Sequence, residues 1–131
     1  MPKTIRQTVT LPAAPIAVYD TLMDSKKHSE LTNATAHISK KVGGTFSVYD
    51  DYATGKNLEL ARGKKIVQTW RASDWHRDAV SKVTFRLAKI SNGTKLTFTH
   101  SDVPDKHYKS IKQGWIDFYW QPLKAMFNKK S

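Results

Sequence analysis

No cysteine occurs among the 131 residues. That absence excludes a disulfide framework, thiol chemistry, thiolate zinc and cysteine-held iron–sulfur clusters. Proline (5) and glycine (6) are sparse and never cluster into a linker. No repeat or low-complexity tract interrupts the chain, so a single domain over 1–131 is expected; chains usually divide only above roughly 250 residues. No run approaches the roughly 20 apolar residues of a membrane span. The opening MPKTIRQTVTLPAAP has no apolar core behind its charges, as a signal peptide would. A cytoplasmic protein without a membrane partner is the expectation.

Catalytic patterns are also missing. His28, His37, His76, His100 and His107 show none of the H-x-H, H-x-x-x-H or H-E-x-x-H spacings of a metal site. There is no G-x-S-x-G elbow. Gly63-Lys64 lacks the upstream glycine and the following Ser/Thr of a phosphate-binding loop. No metal, no cofactor and no enzymatic activity are expected.

Acidic residues are short as well: 11 Asp+Glu against 22 Lys+Arg give a net charge of +11. Residues 1–44, 45–90 and 91–131 carry +3, +4 and +4, so the excess is spread along the chain. Its densest runs are Lys26-Lys27, Lys40-Lys41, Arg62 with Lys64-Lys65, and Lys129-Lys130. Such runs are either a solvated surface or one basic face assembled by the fold. No zinc-finger, helix-turn-helix or RNA-recognition signature accompanies them, so nucleic acid is not the expected partner.

What the chain does have is core material and a readable order of elements. Hydrophobic residues make up 39%, with four Trp, five Tyr and five Phe. Ile5, Gln7, Val9 and Leu11 alternate with polar residues, predicting a strand with one buried face. Pro12 ends it, and Pro15 suits the first turn of a helix carrying Ile16, Tyr19 and Met23. Asp24-Ser25 can close that helix and cap a short second one to about Leu31. Strands are predicted at 35–40, 45–50, 57–61, 65–71, 80–90 and 94–102. Turn chemistry separates them at Gly43-Gly44, Gly55, Arg62-Gly63, 73–78 and Ser91-Asn92-Gly93. The last predicts a tight hairpin.

A long helix from about Asp105, with its carboxylate as cap, to Asn128 closes the chain. Its expected apolar stripe is Tyr108, Ile111, Trp115, Phe118, Tyr119, Leu123 and Met126, with a kink at Pro122. The fold class expected is α+β: a curved antiparallel sheet of six to seven strands around the long C-terminal helix, with two short helices after the first strand.

Five segments occur in an order that is recognisable: Gly43-Gly44-Thr45-Phe46; 65–71 (KIVQTWR) with Trp75 behind it; Gly93-Thr94-Lys95-Leu96; Asp102-Val103-Pro104; and 114–120 (GWIDFYW). Together they resemble the C-terminal domain of the activator of heat shock protein 90 ATPase. That family lies within the START and birch-pollen-allergen superfamily of helix-grip folds. The resemblance implies a module that docks on the acidic heat shock protein 90 chaperone, or a superfamily cavity holding a small hydrophobic ligand. The eukaryotic co-chaperone carries a separate N-terminal domain and linker, neither of which is expected within these 131 residues.

Candidate residues follow. Phe46, Trp70, Phe85, Trp115, Phe118 and Tyr119 either line a pocket between sheet and helix or fill a core. Gln7 shares the inward parity of its strand and is a lining group or lies at a wet rim. His100 has the parity of Leu96 and Phe98, and Asp102 follows on that face. A His beside a carboxylate is a general base, a ligand anchor, or simply a bonded histidine at the sheet edge. Arg62, Lys64, Lys65, Trp75 and Arg77 are the partner-surface candidates, with Trp75 either an exposed anchor or a lid packed over the cavity mouth.

Overall fold

The computed structural model describes residues 2–76 and 79–130. Seven strands form one antiparallel sheet: β1 (Lys3–Leu11), β2 (His37–Ile38), β3 (Thr45–Val48), β4 (Ala53–Ala61), β5 (Lys65–Ala72), β6 (Ser81–Ile90) and β7 (Gly93–Val103). Their order is β1-β7-β6-β5-β4-β3-β2. The chain meanders from β2 to β7, and β1 pairs with the last strand. Two short helices, α1 (Pro15–Met23) and α2 (Ser25–Thr32), follow β1. The C-terminal helix is composite: a 3-10 turn (Asp105–His107), α3 (Tyr108–Trp115), a π turn (Ile116–Trp120) and α4 (Gln121–Lys130). This is the α+β helix-grip architecture that the sequence pattern predicts.

Local chemistry accounts for most boundaries. Ile5, Val9 and Leu11 are buried on one face of β1 while Arg6, Thr8 and Thr10 face outward. Pro15 opens α1, where its missing N–H has no helical partner to lose. Asp24 both ends α1 and caps α2, its carboxylate accepting the Lys27 N–H at 3.0 Å. The hairpin between β6 and β7 closes through Ser91 and Asn92, with Ile90 opposite Gly93.

Three expectations are corrected. Gly55 is not a turn: β4 starts at Ala53, and Gly55 lies inside it opposite Phe46. A Cβ there would sit 1.9 Å from the Thr69 carbonyl and 2.6 Å from the Phe46 ring, so the glycine marks a close approach. Asp105 does not cap the helix by side chain; it pairs with Lys3 at 3.2 Å. The apolar stripe of the helix shifts part-way along. The π turn inserts an extra residue, so Trp120 and Phe127 join Ile111, Trp115, Tyr119 and Leu123 in the core. Phe118 is turned out, 55% exposed. The expected irregularity falls just before Pro122 rather than as a break in the helix.

The core sits between the sheet's inner face and this helix. Trp115 packs against Phe98 at 4.4 Å between ring centroids, Trp70 at 5.7 Å and Phe85 at 6.0 Å. Trp120 packs against Phe98 at 5.1 Å. Large aromatic surfaces removed from water in this way carry much of a small domain's stability.

Candidate functional site

Between sheet and helix proper there is little room. The space bounded by Phe46, Trp70, Phe85, Trp115 and Tyr119, with Leu22, Met23, His28 and Gln68, amounts to about 20 Å³. That holds one water at most. The inner set of aromatics is therefore a filled core.

An open volume lined largely by aromatic rings lies to one side, at the turn joining β3 to β4. A groove of about 480 Å³ runs between that turn and the C-terminal helix. Val48, Tyr49, Tyr52, Ala53 and Trp70 form one wall. Ser110, Ile111, Gly114, Trp115, Phe118 and Tyr119 form the other. Of the cavity candidates, Trp70, Trp115, Phe118 and Tyr119 meet here, while Phe46 and Phe85 belong to the packed interior.

The turn that makes the outer wall is unusual. Tyr49, Asp50 and Asp51 take successive left-handed φ values of 52°, 55° and 71°. Such conformations are costly for residues with a side chain and persist only where surrounding contacts hold them. Here the Asp50 carboxylate accepts the Thr35 N–H at 2.8 Å, and the Asp50 N–H donates to the Thr35 carbonyl at 3.0 Å. Ser47 hydrogen-bonds the Asp51 carboxylate. The Tyr49 hydroxyl donates to the Phe118 carbonyl at 2.5 Å. Its ring meets those of Phe118 and Tyr119 edge-on, at 5.7 and 5.6 Å. Burial pushes the Tyr49 phenol up to about 12. Burial, and secondarily Tyr49, raises the Tyr119 phenol well above its ordinary value.

Tyr119 also reaches inward to a buried histidine that no sequence pattern singled out. The His28 Nδ1–H donates to the Leu22 carbonyl at 3.0 Å, and Nε2 accepts from the Tyr119 hydroxyl at 2.9 Å. Burial lowers the His28 pKa, so the ring is neutral.

His100 is completely buried, and its partners are not those expected. The Trp115 Nε1–H donates to His100 Nδ1 at 3.0 Å, which places the proton on Nε2. That nitrogen donates to Ser81 Oγ at 2.7 Å, and the Ser81 hydroxyl donates to the Trp70 carbonyl at 2.6 Å. Burial lowers the His100 pKa to about 3. Asp102 is not beside it. Lys3 opposes Val103 while Ile5 opposes His100, so β7 carries one extra residue. That bulge, with Asp102 at φ 62°, turns the carboxylate to solvent and brings Val103 inside. A neutral, enclosed imidazole with no carboxylate beside it has the surroundings of a bonded histidine, not those of a general base or a ligand anchor.

Gln7 does not line the groove either. Its side-chain oxygen accepts the Trp120 Nε1–H at 2.6 Å, and its amide donates to the Lys112 carbonyl at 3.1 Å. It fastens β1 to the helix.

Among the partner-surface candidates, Trp75 is corrected: it is 4% exposed, stacked between His100 and His107 at centroid distances of 6.3 and 5.8 Å. The indole is too large and apolar to stay in water where the sheet end offers Trp70 at 5.3 Å. Arg62 pairs with Asp20 at 3.2 Å, Lys65 pairs with Glu59 at 2.9 Å, and Lys64 is exposed. Arg77 lies outside the described residues. The outer face of the sheet adds basic groups that runs in the sequence do not reveal: Arg6, Lys82, Arg86 and Lys95 alternate with buried residues on three adjacent strands and all face solvent. Lys65 and Arg86 lie directly opposite each other. Glu59 sits among them, its carboxyl held below the usual range first by Lys65, then by Arg86 and Lys82. No group of three or more metal-ligating side chains occurs among the described residues, and no helix among them is long and apolar enough to cross a membrane.

Comparison with known proteins places these features in context. A family model described as activator of Hsp90 ATPase homolog 1-like protein matches residues 12–128. The activator of 90 kDa heat shock protein ATPase homolog of Dictyostelium discoideum is 27% identical over 130 residues, covering 98% of this chain and 34% of that protein. Human homolog 1 is 24% identical over 118 residues, covering 90% of this chain and 35% of that protein. The chain thus spans about a third of the length of the curated relatives it matches. An HSP90 activator from Plasmodium falciparum has the same fold, with a TM-score of 0.89 at 25% identity, covering 95% of this chain and 96% of that one.

Proposed function

Because the chain belongs to the family described as activator of Hsp90 ATPase homolog 1-like proteins, we propose that it is a binding domain without catalytic activity that docks on an acidic surface of an Hsp90-type chaperone in the cytoplasm. The observation that carries this reading is the outer face of the sheet. Lys65 and Arg86 are directly opposed across β5 and β6, an arrangement that like charges make unfavourable. Glu59 pairs with Lys65 and reaches Arg86 and Lys82 only at longer range, so one carboxylate faces an excess of positive charge from Arg6, Lys82, Arg86 and Lys95 that carboxylates supplied from outside would balance. Charge arranged this way speeds encounter and sets salt dependence more than it sets affinity.

The test is calorimetric titration of the chain into the chaperone of the same organism at 50 and 300 mM salt, with the chaperone's ATPase rate followed in parallel. Binding that weakens at least tenfold at the higher salt, and again in Arg86→Glu/Lys95→Glu, supports the reading. Absence of association at 50 mM salt would remove it.

A second reading is favoured by the groove: its roughly 480 Å³ lies within the range of roughly 300–1,000 Å³ over which small-molecule sites fall. In this reading the domain carries or senses a small hydrophobic ligand, on the opposite side of the sheet from the basic surface.

A further inference from the structure

Gly114 sits inside α3, where glycine is about 1 kcal/mol less favourable than alanine. Nothing in its backbone requires glycine. Its φ is ordinary, and a Cβ built there meets only the Phe118 ring, at 3.7 Å. Glycines in the strands are explained by close contact: at Gly55 and Gly93 a Cβ would come within about 2 Å of a carbonyl oxygen. Gly114 has space instead, and that space is the groove. Residues that break a local rule without a packing reason concentrate at functional or strained sites.

The surroundings narrow what the groove accepts. In a chain of net charge +11, no Lys, Arg, Asp or Glu among the described residues lines it. An ion entering would lose hydration without gaining a counter-charge, which is strongly unfavourable. The walls are aromatic: Tyr49, Tyr52, Trp70, Trp115, Phe118 and Tyr119. Phe118 is held outward at the lip by the π turn, 55% exposed, with Tyr49 across from it. Ring faces and edges presented together favour another ring in tilted or edge-on contact over a flexible alkyl chain. Polar groups at the site are hydroxyls. Ser110 donates to the His107 carbonyl at 3.1 Å and keeps its oxygen lone pairs for a donor. The Tyr52 phenol is raised by burial and then by Asp74, and stays protonated as a donor at neutral pH.

We propose that the groove between the β3–β4 turn and the C-terminal helix binds a neutral, flat aromatic small molecule, admitted by the missing side chain of Gly114. This rests on the second reading above and specifies its ligand class.

The test uses the full chain and three probes: N-phenyl-1-naphthylamine (neutral, aromatic), 1-anilinonaphthalene-8-sulfonate (similar rings with a charge) and 1-decanol (neutral, aliphatic). Binding is read by calorimetry and by energy transfer from Trp70 and Trp115. The expected result is one neutral aromatic probe per chain, bound at least tenfold more tightly than the sulfonate or the alcohol. Gly114→Leu should weaken it at least tenfold. Gly114→Ala, whose Cβ meets only an ordinary contact, should weaken it less while raising the unfolding midpoint. Equal or tighter binding of decanol or the sulfonate would overturn the ligand class and leave the groove reading standing. Failure of all three probes to bind would overturn both. Unchanged affinity in both Gly114 variants would place the probe elsewhere and overturn the assignment.

Discussion

The hydroxyl of Tyr49 donates at 2.5 Å to the carbonyl of Phe118, the carbonyl whose α-helical donor would be residue 122. Residue 122 is proline and has no N–H to give. A side chain from the β3–β4 turn thus bonds the carbonyl that the proline leaves without its α-helical donor, and ties the two walls of the groove together. In Tyr49→Phe the ring contacts remain and the bond is lost, so stability should fall by about 1 kcal/mol. Pro122→Ala restores a backbone donor, and in that background the same change should cost measurably less. Urea unfolding of the four proteins gives the coupling directly; additive effects would show that the two residues are independent.

The chain Trp115–His100–Ser81–Trp70 is closed at every step, which is why a buried imidazole is tolerated. Ser81→Ala leaves the His100 Nε2–H without an acceptor in a site sealed from water. The expected loss is about 2 kcal/mol, read from denaturant melts. Ser81→Thr, which keeps the hydroxyl, should lose less. Equal losses would mean that packing, not the bond, matters at this position.

Acid should weaken the fold through the same residue. His100 is neutral in the folded state down to about 3, whereas an unfolded histidine protonates near 6.5. The folded pKa is depressed, so the unfolded state binds the extra proton, and stability falls as pH drops from about 6.5 toward 3. Between pH 7.5 and 5.5 the loss from His100 alone is about 1.4 kcal/mol. His28, also lowered by burial, acts in the same direction. Melts across this range check the slope; stability that is flat from pH 7.5 to 5.5 would contradict it.

Gly55 and Gly114 should respond oppositely to one methyl group. Gly55→Ala places a carbon against the Thr69 carbonyl and the Phe46 ring, and should destabilise by at least ~3 kcal/mol, since neither neighbour is a free side-chain end. Gly114→Ala should stabilise by roughly 0.5–1 kcal/mol through helix propensity. Thermal melts of the two variants suffice.

Much of this protein is written in its linear pattern. The period-two runs, the Pro15 and Asp24 helix signals, the Ser91–Asn92 hairpin and the apolar C-terminal segment determine the succession of elements along the chain and the helix that the sheet grips. Local rules govern these features, so they are legible without contacts. The five ordered motifs likewise indicate the family.

The site is a different matter, because single-residue insertions decide it. One extra residue in β7 separates Asp102 from His100, and one in the π turn sends Phe118 outward while drawing Trp120 and Phe127 in. Parity and helical periodicity assume uniform elements, so neither shift can be read from spacing. Trp75, flanked by charges in the sequence, is buried because two histidines and Trp70 happen to surround it in space. The groove depends on Tyr49 reaching a carbonyl 69 residues away. The one local trace of it is Gly114, a glycine in a helix with no backbone need for one. The sequence by itself determined which elements form and which faces are apolar. Tertiary packing decided which polar groups meet and where space is left open, since both depend on distances between segments far apart in the chain.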